Sequence, residues 1–327
     1  MEKESRLIGN IHTVAYTAQR EPMVDILDES VYCCQRPAPT RQKNLWFLKL
    51  NAERCVEYVE KEGLCKEKAL PYTLKGENRA LEEVLSAACV SGAKPYRVDF
   101  KIDWFDVPYK NLVRINRLLL ACFEVSRRAV NNYDTKSIMK KETKSLKVAT
   151  QTFEIEYYNK ESQAPITSQK TGIKSRLEFR NKGANLGIAS GVWRLKHLVQ
   201  ELKGHEGKVE SIQNEILLEY WKDEGWTIKK ATDFFSCHKE YFYTLKQTRD
   251  FFQSVGKPNT DKFVENRQAF LRERGFPPLL TQKEFEKYVD CIAGEFDRFL
   301  CSFDSVHRKR LDDRKKKQLE KIASFSW

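Results

Sequence analysis

Apolar and polar positions in this chain fall into segments of two different periods. Between Tyr96 and Asp103 they alternate strictly: Val98, Phe100 and Ile102 share one parity, Asp99, Lys101 and Asp103 the other. Side chains take opposite faces along an extended chain, so this segment predicts a strand with one apolar and one charged face. Two later segments repeat the pattern. In Phe153–Asn159, Phe153, Ile155 and Tyr157 oppose Glu154, Glu156 and Tyr158; in Ser175–Asn181, Leu177 and Phe179 oppose Arg176, Glu178 and Arg180. A polar stretch containing Pro165 joins these two as a loop. Asn44–Leu50, Tyr133–Met139 and the whole of Leu146–Asn159 also read as extended.

Helical spacing governs most of the rest. Ala52–Glu62 predicts a short helix ended by Gly63, and Asn78–Val90 another closed by Gly92 and Pro95. Tyr109–Val130 carries Leu112, Ile115, Leu119, Cys122 and Val125 on one stripe, the mark of an amphipathic helix. From about Ala184 the pattern is helical, with segments at Val192–Leu202, Val209–Trp221 and two within 227–250. Thr281 and Glu284 form a capping box that opens a helix bearing Phe285, Tyr288, Val289, Ile292 and Phe296. Residues 1–43 show no clean period, and QRPAPTRQK within them reads as a loop. The expected fold is α+β: a mainly antiparallel sheet with helices on one face, followed by a helical C-terminal region. The expected division is a domain over 1–190 and a helical region over 191–327.

Composition narrows the class. The chain has 327 residues, is 41% hydrophobic, and carries a formal charge of +12, which suits a polyanion such as nucleic acid. Its nine cysteines are odd in number and include no C-x-x-C pair, which points to reduced thiols in a cytoplasmic protein. No apolar run reaches the length of a membrane span, and the N-terminus has no apolar leader core.

The charged strand faces are the candidate chemistry. Carboxylates gathered on one surface repel unless a cation joins them. Hard oxygen donors of this kind suit Mg²⁺ or Mn²⁺. A tyrosine hydroxyl beside such an ion can attack a phosphodiester. The competing reading is a sheet face laced by cross-strand ion pairs. Pattern alone leaves both open. Residues 227–250 could form a helix-turn-helix or an ordinary helical hairpin. The basic tail, with Arg308, Lys309, Arg310, Arg314, Lys315 and Lys316, can hold DNA phosphates.

The segments YRVDFKID, then FEIEYYNK, then RLEFR, in this order across residues 96–183, resemble the Rep_trans-type replication initiation factors of rolling-circle plasmids and mobile elements. The remaining residues contribute nothing to the resemblance. It implies a nicking and rejoining enzyme in which a tyrosine holds the 5′ end of cut origin DNA with the help of Mg²⁺ or Mn²⁺. It implies metal ligands at Asp99, Asp103 and Glu178, with Glu156 beside them, and a nucleophile at Tyr158, with Tyr157 as second choice. Arg180, Arg176 and Lys160 are then expected at the DNA phosphates. The implied partner is double-stranded or hairpin origin DNA, with a host helicase and polymerase to follow; a homodimer is compatible, a membrane is not implied. A mobilisation relaxase would use the same chemistry. A non-catalytic origin-binding initiator or regulator is the reading from another class. An RNA-binding sheet is disfavoured, because acids stand where stacking aromatics are expected.

Overall fold

Strands β1 (Leu7–Ala18), β2 (Tyr32–Gln35), β3 (Trp46–Asn51), β4 (Lys94–Trp104), β5 (Ser145–Ala149), β6 (Phe153–Asn159) and β7 (Ser175–Lys182) form one antiparallel sheet. Their order is β2-β3-β1-β4-β7-β6-β5. The longer helices are α1 (Ala52–Lys61), α2 (Leu74–Ala87), α3 (Tyr109–Arg127), α6 (Ile188–Glu201) and α7 (Gln282–Leu300), with α4 (Lys160–Gln163) and α5 (Pro165–Thr171) between β6 and β7. This computed structural model describes residues 6–23, 32–35, 45–64, 73–127, 145–183, 186–204, 209 and 282–301. The strand expected at Tyr133–Met139, the helices expected beyond Val209 and within 227–250, and the basic tail lie outside the described residues. No helix among the described residues is long and apolar enough to cross a membrane.

The fold is α+β, and its apolar strand faces meet helices in one continuous core. Phe100 of β4 stacks on Phe296 of α7 with centroids 4.2 Å apart, and Phe179 of β7 meets the same ring edge-on at 5.5 Å. Tyr288 of α7 stacks on Trp104 and donates from its hydroxyl to Asn116 Oδ1 of α3 at 2.7 Å. The helix that the capping box announces is therefore part of the sheet's own core.

Several elements differ from the sequence expectation for identifiable reasons. Leu146–Asn159 is two strands, because Thr150 Oγ1 accepts from Phe153 N at 3.0 Å and turns the chain. The Pro165 loop is two short helices: Asn159 Oδ1 caps the first, Pro165 starts the second and Gly172, at φ 76°, ends it. Helix α2 begins four residues early because Thr73 Oγ1 accepts from Gly76 N. Strand β1 was hidden because its register to β4 slips between Ile11 and Thr13, a bulge that leaves His12 as the extra residue.

Gly9 in β1 fixes how α7 docks. Its N–H donates to Glu295 Oε2 at 3.1 Å and its carbonyl accepts from Arg298 Nη2 at 2.9 Å. A Cβ here would stand 2.8 Å from the Phe100 ring. Gly9→Ala forces that ring off its stack on Phe296, and is expected to cost about 1–3 kcal/mol. Urea unfolding should show a lower midpoint at unchanged slope.

Candidate active site

The antiparallel pairing of β4, β7 and β6 turns three charged strand faces into a lattice. Asp103, Arg176 and Tyr158 lie opposite one another across the three strands; Lys101, Glu178 and Glu156 form the next row; Asp99, Arg180 and Glu154 the third. Signs alternate along β4 and β7 and across that pair, so most carboxylates have a cation for a neighbour. Asp99, Lys101, Asp103, Glu154, Arg176 and Glu178 are all buried.

Each acid is taken up by basic side chains. Arg97 holds both oxygens of Asp99 at 2.7 and 2.6 Å. Arg176 holds both oxygens of Asp103 at 2.5 and 2.9 Å, and Lys101 Nζ lies 3.2 Å from the same carboxylate. Burial would raise Asp103, but Lys101 and Arg176 outweigh it and hold the carboxyl below its ordinary range. For Asp99 burial wins over Arg97, and the pKa is raised. Arg180 reaches Glu154, Glu156 Oε2 at 2.8 Å, Glu178 Oε2 at 2.7 Å and Asp99 Oδ2 at 3.9 Å.

Tyr158 stands at one corner of the lattice and donates from its hydroxyl to Glu178 Oε1 at 2.7 Å. Burial raises the Tyr158 hydroxyl well above its usual value. Burial also pushes Glu178 up, but His12, Arg180, Arg176 and the Tyr158 hydroxyl pull it down to about 2. His12 Nδ1 lies 3.4 Å from Glu178 Oε1. Burial outweighs the attraction of Glu178 and lowers His12 to about 4, so the ring is neutral at pH 7. Lys160 Nζ sits 5.8 Å from the Tyr158 ring centroid, and burial with the nearby Arg176 lowers it to about 8. Tyr157 takes the other face: it stacks on Tyr109 at 4.7 Å, donates to Tyr109 O at 3.2 Å and is fully buried.

The sequence-chosen residues Asp99, Asp103, Glu156, Glu178, Tyr158, Arg176 and Arg180 thus come together on one face, with Lys160 at its edge and Tyr157 behind it. As a donor set for Mg²⁺ or Mn²⁺ the acids do not fit in this arrangement, because arginine and lysine already occupy their oxygens. Among the described residues no group of three or more His, Cys, Asp or Glu side chains is placed to hold a metal ion.

Several participants come from parts of the chain that pattern reading did not single out. Before Thr13, β1 has no β3 partner, and α1 and α2 fill the gap with their first turns. Glu53 of α1 takes Lys101 Nζ at 2.7 Å and Asn10 Nδ2 at 3.1 Å; Glu77 of α2 takes Asn10 Nδ2 at 3.2 Å and the Ile11 N–H at 3.0 Å. The β1 bulge places His12 against Glu178 on the charged face. The one sequence signal for these residues was polar identity, with no period to mark it. No protein-family model, curated protein or solved structure matches the chain.

Proposed function

We propose that this chain is a DNA replication initiation protein that nicks and rejoins origin DNA through Tyr158. The observation that supports this is the Tyr158 hydroxyl donating to Glu178 at 2.7 Å, within a face where Arg176 and Arg180 border the same carboxylate. A nucleophile hydrogen-bonded to a proton acceptor that is itself oriented by neighbours is the arrangement nucleophilic catalysis requires.

On this reading Tyr158 Oη attacks phosphorus and its proton passes to Glu178. The Oη–P bond forms, the P–O3′ bond breaks, and the 5′ phosphate remains on the tyrosine. The leaving 3′ oxygen takes a proton from Lys160, whose lowered pKa of about 8 suits donation near neutral pH. Rejoining reverses both transfers. Glu178 is a weak base while Arg176 and Arg180 hold it; a phosphate that draws either arginine away strengthens it as the substrate arrives.

The test uses supercoiled DNA carrying the sequences that flank the chain's own gene, with Mg²⁺, with Mn²⁺ and with EDTA. A protein–DNA adduct on a denaturing gel, lost in Tyr158→Phe and kept in Tyr157→Phe, is the expected result. Loss in Tyr157→Phe alone moves the nucleophile to the other face. The pairing of all five lattice acids supports a second reading, a non-catalytic origin-binding protein. That reading predicts tight DNA binding with no nick and no adduct.

A further inference from the structure

The ion pairs joined to the lattice among the described residues contain six carboxylates, Glu53, Asp99, Asp103, Glu154, Glu156 and Glu178. They contain six cations as well, Arg97, Lys101, Lys147, Arg176, Arg180 and Lys182. The balance is local too. The four acids that converge on Arg180 are Glu154, Glu156, Glu178 and Asp99, drawn from β6, β7 and β4. Arg97 closes on Asp99, while Lys147 and Lys182 close on Glu154 from the rim.

We infer that Arg180 stands in this chain for the divalent cation: its guanidinium neutralises the converging carboxylates, and DNA cleavage at Tyr158 proceeds without a resident metal. This rests on the reading of Tyr158 as the nucleophile, and it departs from what the family resemblance implies. A planar guanidinium presents five donors in a rigid fork and stays charged at any working pH. It can therefore satisfy oxygens on several sides, as an ion would. A dication added to a neutral buried set would bring two uncompensated charges into a region of low dielectric, which is costly. Arg180 also lies in the row next to the Glu178–Glu156 row, within reach of a phosphate positioned for attack, so the charge it carries can follow the reacting group.

Mn²⁺ binding, read by the loss of the free-ion electron paramagnetic resonance signal, tests the first half without reference to activity. Wild type is expected to bind no Mn²⁺ at this face, with or without a single-stranded oligonucleotide. Arg180→Gln uncovers the four acids and is expected to gain a stoichiometric Mn²⁺ site that wild type lacks, because a carboxylate cluster without its cation attracts a hard ion. Arg180→Lys keeps a charge, and should remain folded and metal-free. The adduct assay tests the second half. Wild-type yield should be the same in EDTA as in Mn²⁺, and Arg180→Gln should lose the adduct in EDTA and regain part of it in Mn²⁺. Stoichiometric Mn²⁺ binding by wild type, or an adduct that EDTA abolishes, overturns the inference. So does a folded Arg180→Gln with no affinity for Mn²⁺. If Arg180→Gln does not fold, the two wild-type measurements decide. Absence of an adduct in every condition defeats the tyrosine reading instead, and leaves the Mn²⁺ result to judge the stand-in.

Discussion

Arg176→Met is expected to lower the stability of this protein by about 3–5 kcal/mol, the cost of leaving one partner of a buried ion pair alone. Arg176 is 4% exposed and Asp103 3% exposed, and they share two hydrogen bonds. Without the guanidinium, Asp103 keeps Lys101, but Lys101 is already committed to Glu53 at 2.7 Å. One ammonium, 1% exposed, then has two carboxylates to serve, and that of Asp103 is buried. Urea unfolding reads the loss directly. Removing the pair together, as Arg176→Met with Asp103→Leu, should recover most of it, since an apolar pair of similar volume needs no charge compensation. At the lattice rim, Lys147 is 46% exposed beside Glu154, and Lys147→Met is expected to cost under about 1 kcal/mol. A single-variant loss as small as that of the rim lysine would mean that water enters the lattice, and that the buried pair does not organise it. An intact double variant that forms no adduct would show that this corner of the lattice serves chemistry more than folding.

The residues of that lattice could be assembled from sequence only in part. Strands β4, β6 and β7 were legible because each alternates for seven or eight residues without interruption. Their common face followed once they were assumed to be neighbours. Register was not legible: nothing in the spacing says that Asp103 meets Arg176, or that Arg180 meets both Glu154 and Asp99. Register decides whether the acids face open space or a guanidinium, so the pattern left both the metal site and the ion-pair lattice open, and only the family resemblance favoured the metal. Strand β1 escaped notice because one extra residue, His12, and one small residue, Gly9, break its alternation. Both carry weight in the fold, His12 against Glu178 and Gly9 beneath Phe100. Glu53 and Glu77 sit in helix first turns, where acids are common for reasons of helix polarity. Their roles depend on β1 having no β3 partner before Thr13, a tertiary fact.

Glu77 gives the protein a stability that falls as pH rises from about 4.5 to 8. Its carboxyl is fully buried and, among the described residues, has no cation in direct contact. Burial is the main reason its pKa rises to about 8, against the lesser pull of the hydrogen bonds from Asn10 and Ile11 N and of Lys101, with Glu53 adding to the rise. In the unfolded chain the group titrates near the ordinary 4.5. Below 4.5 both states hold the proton and the group has no effect on folding. Between the two values the folded chain keeps a proton that the unfolded chain releases, and each pH unit costs about 1.4 kcal/mol. The full loss, on the order of 3–5 kcal/mol, is complete above pH 8. Glu77→Gln cannot ionise. Its carbonyl can still accept from Ile11 N, but its amide must face Asn10, which forfeits about 1 kcal/mol as Asn10 turns away from Glu53. The two stability curves should therefore cross: wild type is the more stable near pH 5, and Glu77→Gln the more stable at pH 8 by several times that forfeit. Chemical denaturation at half-unit steps from pH 5 to 8.5 locates the crossing. Parallel curves would mean that Glu77 is ionised in the folded chain, with Lys101 as its counter-charge. The β1 bulge would then be held by an ion pair instead of a neutral acid.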